Sequence, residues 1–137
     1  MQASNSKLRV LLGEDNSDIL QHTKTLLSEE FDLVATVEDG RRLLAAAERF
    51  KPDIVVTDIG MPELNGIEAS RRILELGYCQ AIIAFSVENS PEFVKTAFKA
   101  GIRGYVLKEE AAQELVSAIR AVAQGDIFVS SRIEIDF

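Results

Sequence analysis

Short apolar runs recur along this chain and alternate with longer stretches of helical period. The runs are Leu8–Leu12, Leu33–Val37, Ile54–Thr57, Ala81–Phe85 and Tyr105–Leu107. Successive rather than alternate positions are apolar, which is the pattern of strands covered on both faces of a parallel sheet. Between the runs lie amphipathic stretches. Ile19, Leu20, Leu26 and Leu27 share one stripe. Phe93, Ala97 and Ala100 follow i, i+4, i+7, as do Leu115, Ile119 and Val122. Asn16 or Ser17 is placed to cap the first helix, Asn65 the third, and Ser90 the fourth, with Pro91 at its first helical position. Gly101 and Gly125 follow the fourth and fifth helices, where left-handed caps favour glycine. Five strands alternating with five helices predict a doubly wound α/β domain, because parallel neighbours need crossover helices.

The ends of the chain differ from its middle. Residues 1–6 are polar and read as a flexible tail, with the domain proper over 7–125. Residues 126–137 form a C-terminal extension or a truncated linker. Within it, Ile133-Glu-Ile-Asp-Phe137 alternates with a period of two, which predicts extended structure. An edge strand, a partner-binding arm and the start of a linker all fit that pattern.

Composition narrows the function classes. The 137 residues suit a single hydrophobic core. A net charge of −7 argues against direct nucleic-acid binding by this domain, since phosphate backbones attract Lys and Arg. Cys79 is the single cysteine, so no intrachain disulfide can form and a reducing, cytoplasmic setting is expected. No apolar run approaches the roughly 20 residues of a membrane span. The lone histidine, His22, reads as a surface side chain, and the Arg41-Arg42 and Arg71-Arg72 pairs as solvated helix faces.

The chemistry gathers at one edge. Ligands of open α/β sheets bind beyond the carboxyl ends of the strands. Strand one runs into Gly13-Glu14-Asp15, strand three ends in Asp58, strand four in Ser86 and strand five in Lys108. Taken singly, each residue has an ordinary structural reading as a turn, a cap or a surface group. Together they place three carboxylates, a hydroxyl and an ammonium on one edge. Clustered carboxylates repel unless a proton or a cation intervenes. Mg²⁺ suits such a set, because it takes one or two carboxylates directly and keeps several waters. Asp15 and Asp58 are the expected direct ligands, Glu14 acts through a bound water, and the Gly60 backbone carbonyl is a further candidate. Asp58 is the candidate nucleophile, since a carboxylate needs no separate base to form an aspartyl-phosphate. Lys108 would offset phosphoryl charge and Ser86 would donate a hydrogen bond.

The residues Glu14-Asp15, Asp58-Ile-Gly-Met-Pro62, Ser86 and Gly104-Tyr-Val-Leu-Lys108 resemble the receiver domain of bacterial two-component response regulators. The likeness runs from about Lys7 to Gly125, and Ala118–Gly125 is similar to the nitrate-response type. It implies a flavodoxin-like, five-stranded parallel sheet of order 2-1-3-4-5 with five helices. It also implies that Asp58 takes phosphate from a sensor histidine kinase's phosphohistidine. Ser86 and Tyr105 would then reorient together and alter the helix 4–strand 5–helix 5 surface, controlling an output domain or downstream protein, with transcriptional output expected. A phosphorylation-dependent homodimer is compatible with this. Beyond self-phosphorylation and autodephosphorylation, no enzymatic activity is expected.

Two departures stand out. Nothing after Gly125 is long enough for the helix-turn-helix output domain of nitrate-response regulators. Gly60 stands where the family often has a larger side chain, which would open or alter the path of the hydrolysing water and change the lifetime of the phosphorylated state. Among rivals, a flavodoxin-like cofactor binder needs small hydroxyl residues in the first loop, where this chain has Gly-Glu-Asp-Asn. A haloacid-dehalogenase-type phosphatase needs a second acid at the position of Gly60. The remaining alternative is an interaction module of the same fold that works without phosphorylation.

Overall fold

The computed structural model describes residues 7–61 and 63–136. The expected tail over 1–6, Pro62 and Phe137 lie outside the described residues. The elements alternate as expected: β1 (Arg9–Gly13), α1 (Ser17–Ser28), β2 (Asp32–Val37), α2 (Gly40–Phe50), β3 (Ile54–Asp58), α3 (Gly66–Leu76), β4 (Ile82–Ser86), α4 (Pro91–Lys99), β5 (Gly104–Leu107) and α5 (Ala111–Ala123). A short β6 (Phe128–Val129) follows.

All pairings are parallel, in the order β2-β1-β3-β4-β5-β6. The expected order is therefore present, and a sixth strand extends it at the β5 edge. Of the readings open for Ile133–Phe137, a non-helical course holds over 133–136, but the edge strand forms earlier. The ladder forms at Phe128 and Val129, and residues 133–136 are irregular.

Successive strand residues point to opposite sides of the sheet, so each run feeds two cores. Leu11, Val55, Ala84 and Tyr105 pack with Leu43 of α2, Ile73 of α3 and Val94 of α4. Val10, Val56, Phe85 and Val106 pack with Leu27 of α1 and Ile119 of α5. This is why the runs lack alternation: both faces are covered.

The helix signals act as the sequence implies. The Asn16 side chain accepts from the amides of Asp18 and Ile19 at 3.0 Å each. Asn65 accepts from Glu68, and Ser90 from Glu92. Gly101 and Gly125 have φ of 103° and 97°, the left-handed region beyond each helix. No helix among the described residues is long and apolar enough to cross a membrane.

Candidate functional site

Parallel register stacks the strand ends. Gly13 pairs with Thr57, Asp58 with Phe85, and Ser86 with Leu107, so all finish at one level. Glu14-Asp15, Asp58, Ser86 and Lys108 consequently emerge on a common edge. A close approach at Gly66 helps to shape it. A Cβ there would lie 2.0 Å from the Asp58 carbonyl oxygen, so only glycine lets α3 start directly against the end of β3. The sequence reading did not pick out this glycine.

Lys108 is the centre of the cluster. Its Nζ lies 2.7 Å from Glu14 Oε1 and 3.0 Å from Asp58 Oδ2. The ammonium also stands 5.9 Å from the centroid of the Phe85 ring, which walls one side of the site. Asp58 Oδ1 accepts the Gly60 amide at 3.0 Å, and Glu14 Oε2 accepts the Asn16 amide at 3.1 Å. Carboxylate oxygens of Glu14, Asp15 and Asp58 all lie within 4.8 Å of one another. Glu14 is fully buried, whereas Asp15 is exposed.

This crowding divides the carboxylates electrostatically. Burial pushes the Glu14 carboxyl above its ordinary value despite Lys108. Partial desolvation, together with the neighbouring Asp58 carboxylate, raises Asp15 as well. Asp58 moves the other way. Burial would raise it, but the Gly60 N–H and the Lys108 ammonium outweigh that and hold it low. Desolvation likewise opposes the charge on Lys108, and its two carboxylate partners overcome it. Of the three clustered carboxyls, Asp58, the candidate nucleophile, is the one held below its ordinary value.

The donor set fits a hard cation. It offers only oxygen, and its raised Glu14 and Asp15 are the groups a cation would relieve. Glu14 Oε1 adds to this: Lys108 reaches it as an ion-pair contact, but no hydrogen-bond donor is aligned on that buried oxygen.

Ser86 and Tyr105 are joined through a residue the sequence reading missed. The Glu88 amide donates to Ser86 Oγ at 3.0 Å, and the Tyr105 hydroxyl donates to the Glu88 carbonyl at 2.8 Å. The Tyr105 ring is fully buried against β4 and α4. Ser86 and Asp58 line the same groove with Gly60, Val87 and Phe93. No residue-type pattern could single out Glu88, because its backbone makes the link.

A model of the response regulator receiver domain matches residues 10–120. The chain belongs to that family. The transcriptional regulatory protein DegU of Brevibacillus brevis is 30% identical over 134 residues, covering 96% of this chain and 57% of its own length. The nitrate/nitrite response regulator protein NarL of Escherichia coli (strain K12) is 32% identical over 126 residues, covering 90% and 58%. A solved LuxR-family two-component response regulator from Aurantimonas sp. aligns with a TM-score of 0.87 at 32% identity, covering 93% of each chain. The expected likeness to nitrate-response regulators is thus found. This receiver chain spans less than two thirds of the length of those curated relatives.

Proposed function

We propose that this receiver is a phosphoacceptor switch in which Asp58 accepts a phosphoryl group from a sensor kinase's phosphohistidine. The observation that carries the reading is the position of Lys108 Nζ, within 3.0 Å of Asp58 and 2.7 Å of buried Glu14, beside Asp15. A carboxylate oxygen of Asp58 attacks phosphorus, the P–N bond breaks, and the imidazole leaves with the bonding electrons. Phosphoryl transfer asks a protein chiefly for alignment and charge neutralisation. Lys108 supplies part of that charge, and Ser86 supplies a hydrogen bond. Asp15 and Asp58 would hold Mg²⁺ directly, with Glu14 acting through water and the Gly60 carbonyl as a further ligand. When bound, the ion would neutralise charge on the incoming phosphoryl group.

The output follows as a population shift, limited by the differential contacts of the phosphoryl group in the two arrangements. Moving a switch from mostly off to mostly on takes about 5.5 kcal/mol. Hydrogen bonds to charged groups contribute about 1.5–3 kcal/mol each, so contacts from Lys108 and Ser86 with one more suffice. The Ser86–Glu88–Tyr105 connection offers a route to the surface of α4, β5 and α5. A soluble cytoplasmic regulator with a transcriptional output domain or partner fits the family.

Beryllofluoride with Mg²⁺ mimics the phosphoryl group and provides the test. Backbone NMR signals of Gly60, Ser86, Tyr105 and Lys108 should shift in the wild type and stay fixed in Asp58→Ala. Unchanged signals in the wild type would leave the phosphorylation-independent interaction module as the reading. Gly60 should tune lifetime. A Cβ there meets only Asp58 Oδ1 at 3.8 Å, so Gly60→Asn should fold normally and slow the loss of phosphate by narrowing access for water. Equal decay rates would exclude that role.

A further inference from the structure

The segment after α5 does more than end the domain. β6 pairs with β5 through Gly104–Phe128 and Tyr105–Val129, occupying an edge that would otherwise present open hydrogen-bonding groups. The next residue extends the attachment. The Ser130 amide donates to the Tyr105 carbonyl at 2.9 Å. Ser130 Oγ accepts from the Leu107 amide at 2.8 Å and donates to Glu114 at 2.6 Å. Glu114 also accepts from the Ser131 amide and hydroxyl. Ser130 is buried, and Ile133 enters the same core as Val94, Ala97, Tyr105 and Leu107. Arg132 then pairs with Glu110 at 2.6 Å and Glu109 at 3.5 Å.

These contacts bracket one residue. Leu107 and Glu109–Glu110 flank Lys108, whose ammonium binds Glu14 and Asp58. The segment that carries Lys108 is therefore tied to the C-terminal segment through the Leu107 amide on one side and the Glu109 and Glu110 side chains on the other. Tyr105, the buried aromatic linked to Ser86 through Glu88, is held by its carbonyl to the same segment.

We propose that residues 126–136 are a latch on the β5 edge, holding the Leu107–Glu110 segment in its resting position and loosening when Asp58 carries a phosphoryl group. This rests on the phosphoacceptor reading. Phosphoryl oxygens extend beyond the Asp58 carboxylate to which Lys108 is now bound. Following them asks the Lys108 segment to move against its attachments to Ser130 and Arg132. Coupling between sites is reciprocal, so a weakened latch favours the phosphorylated arrangement by the factor with which that arrangement weakens the latch. While docked, β6 also denies the β5 edge to any strand from a partner; once released, it exposes that edge and the site of Ile133.

The test uses Ser130→Ala, Glu114→Gln and Arg132→Ala, which lie outside the acceptor site. Arg132→Ala is the mildest, because its side chain is 66% exposed, and it safeguards the test if Ser130→Ala folds poorly. The midpoint of a beryllofluoride titration with Mg²⁺ should fall by about fivefold or more in Ser130→Ala, as expected for coupled sites, and by less in Arg132→Ala. In the wild type, beryllofluoride should speed hydrogen exchange over 126–136. Unchanged or raised midpoints in variants that fold, or unaltered exchange on ligation, overturns the latch. A wild type labelled by acetyl phosphate whose variants behave alike overturns the latch alone. A wild type that neither labels nor binds beryllofluoride overturns the acceptor reading and the latch together.

Discussion

The acidic edge and the C-terminal segment both meet β5, yet they resolve their polar groups in opposite ways. At the acidic edge one ammonium contacts two of three clustered carboxylates, and Glu14 and Asp15 sit above their ordinary values. Where the C-terminal segment meets α5, each carboxylate oxygen of Glu114 has a donor from Ser130 or Ser131, and its carboxyl is held low although burial opposes this. The first region keeps electrostatic tension that a cation can relieve. The second is satisfied, so it stabilises the resting arrangement. Polar groups left in tension and polar groups fully paired are thus separated across one strand.

Substitutions can break that separation in graded steps. The largest effect should come from Gly66→Ala, since the new Cβ would press on the Asp58 carbonyl at 2.0 Å. Urea unfolding should show a loss of about 3 kcal/mol or more, because backbone rather than a flexible side chain has to yield. Next, Ile133→Ala removes buried apolar volume from the C-terminal segment and should cost about 2 kcal/mol in the same assay. The acidic edge should remain chemically intact in that variant.

Asp15→Asn should act with the opposite sign. It relieves repulsion beside Asp58 and should raise the unfolding free energy slightly without Mg²⁺, by no more than about 1 kcal/mol for an exposed group. The stabilisation that Mg²⁺ gives to wild type should be much reduced in the variant. A variant less stable than wild type without Mg²⁺ would mean that the cluster holds no such tension.

Acidification sharpens the comparison most finely. A folded value below the unfolded one, as at Glu114, contributes stability that is present above the unfolded value of about 4.3 and is lost as pH falls through the folded value. At Asp15 the folded value is raised. Its carboxylate therefore costs stability above that value, and the cost disappears as pH drops below the unfolded one. Between neutral pH and about 4, Asp15→Asn should lose more stability than wild type on acidification, and below about 4.3 Glu114→Gln should lose less. Parallel pH profiles for both variants would refute the contrast.

Much of this was legible in the residues because it depends on local pattern. Ile54–Thr57 reads as a doubly covered strand, and Asp58 at its end marks the edge where ligands bind. Asn16, Asn65 and Ser90 carry their capping roles in their side chains. The contacts that escaped prediction are tertiary. Ser130 meets Glu114 and Leu107 across the fold, and no spacing rule joins them. Ile133 and Ile135 alternate because both pack toward one core, so the period of two recorded one-sided burial rather than ladder pairing. Glu88 acts through its backbone, to which residue type is nearly blind, and Gly66 through a close approach that only the tertiary fold creates.

The most direct test of the central claim is intact-protein mass spectrometry after incubation with acetyl phosphate. Wild type and Asp58→Ala would be compared with and without Mg²⁺. A single phosphoryl adduct that requires both Asp58 and Mg²⁺ is the predicted result. An adduct that survives Asp58→Ala, or none on wild type under conditions that label another receiver, would contradict it.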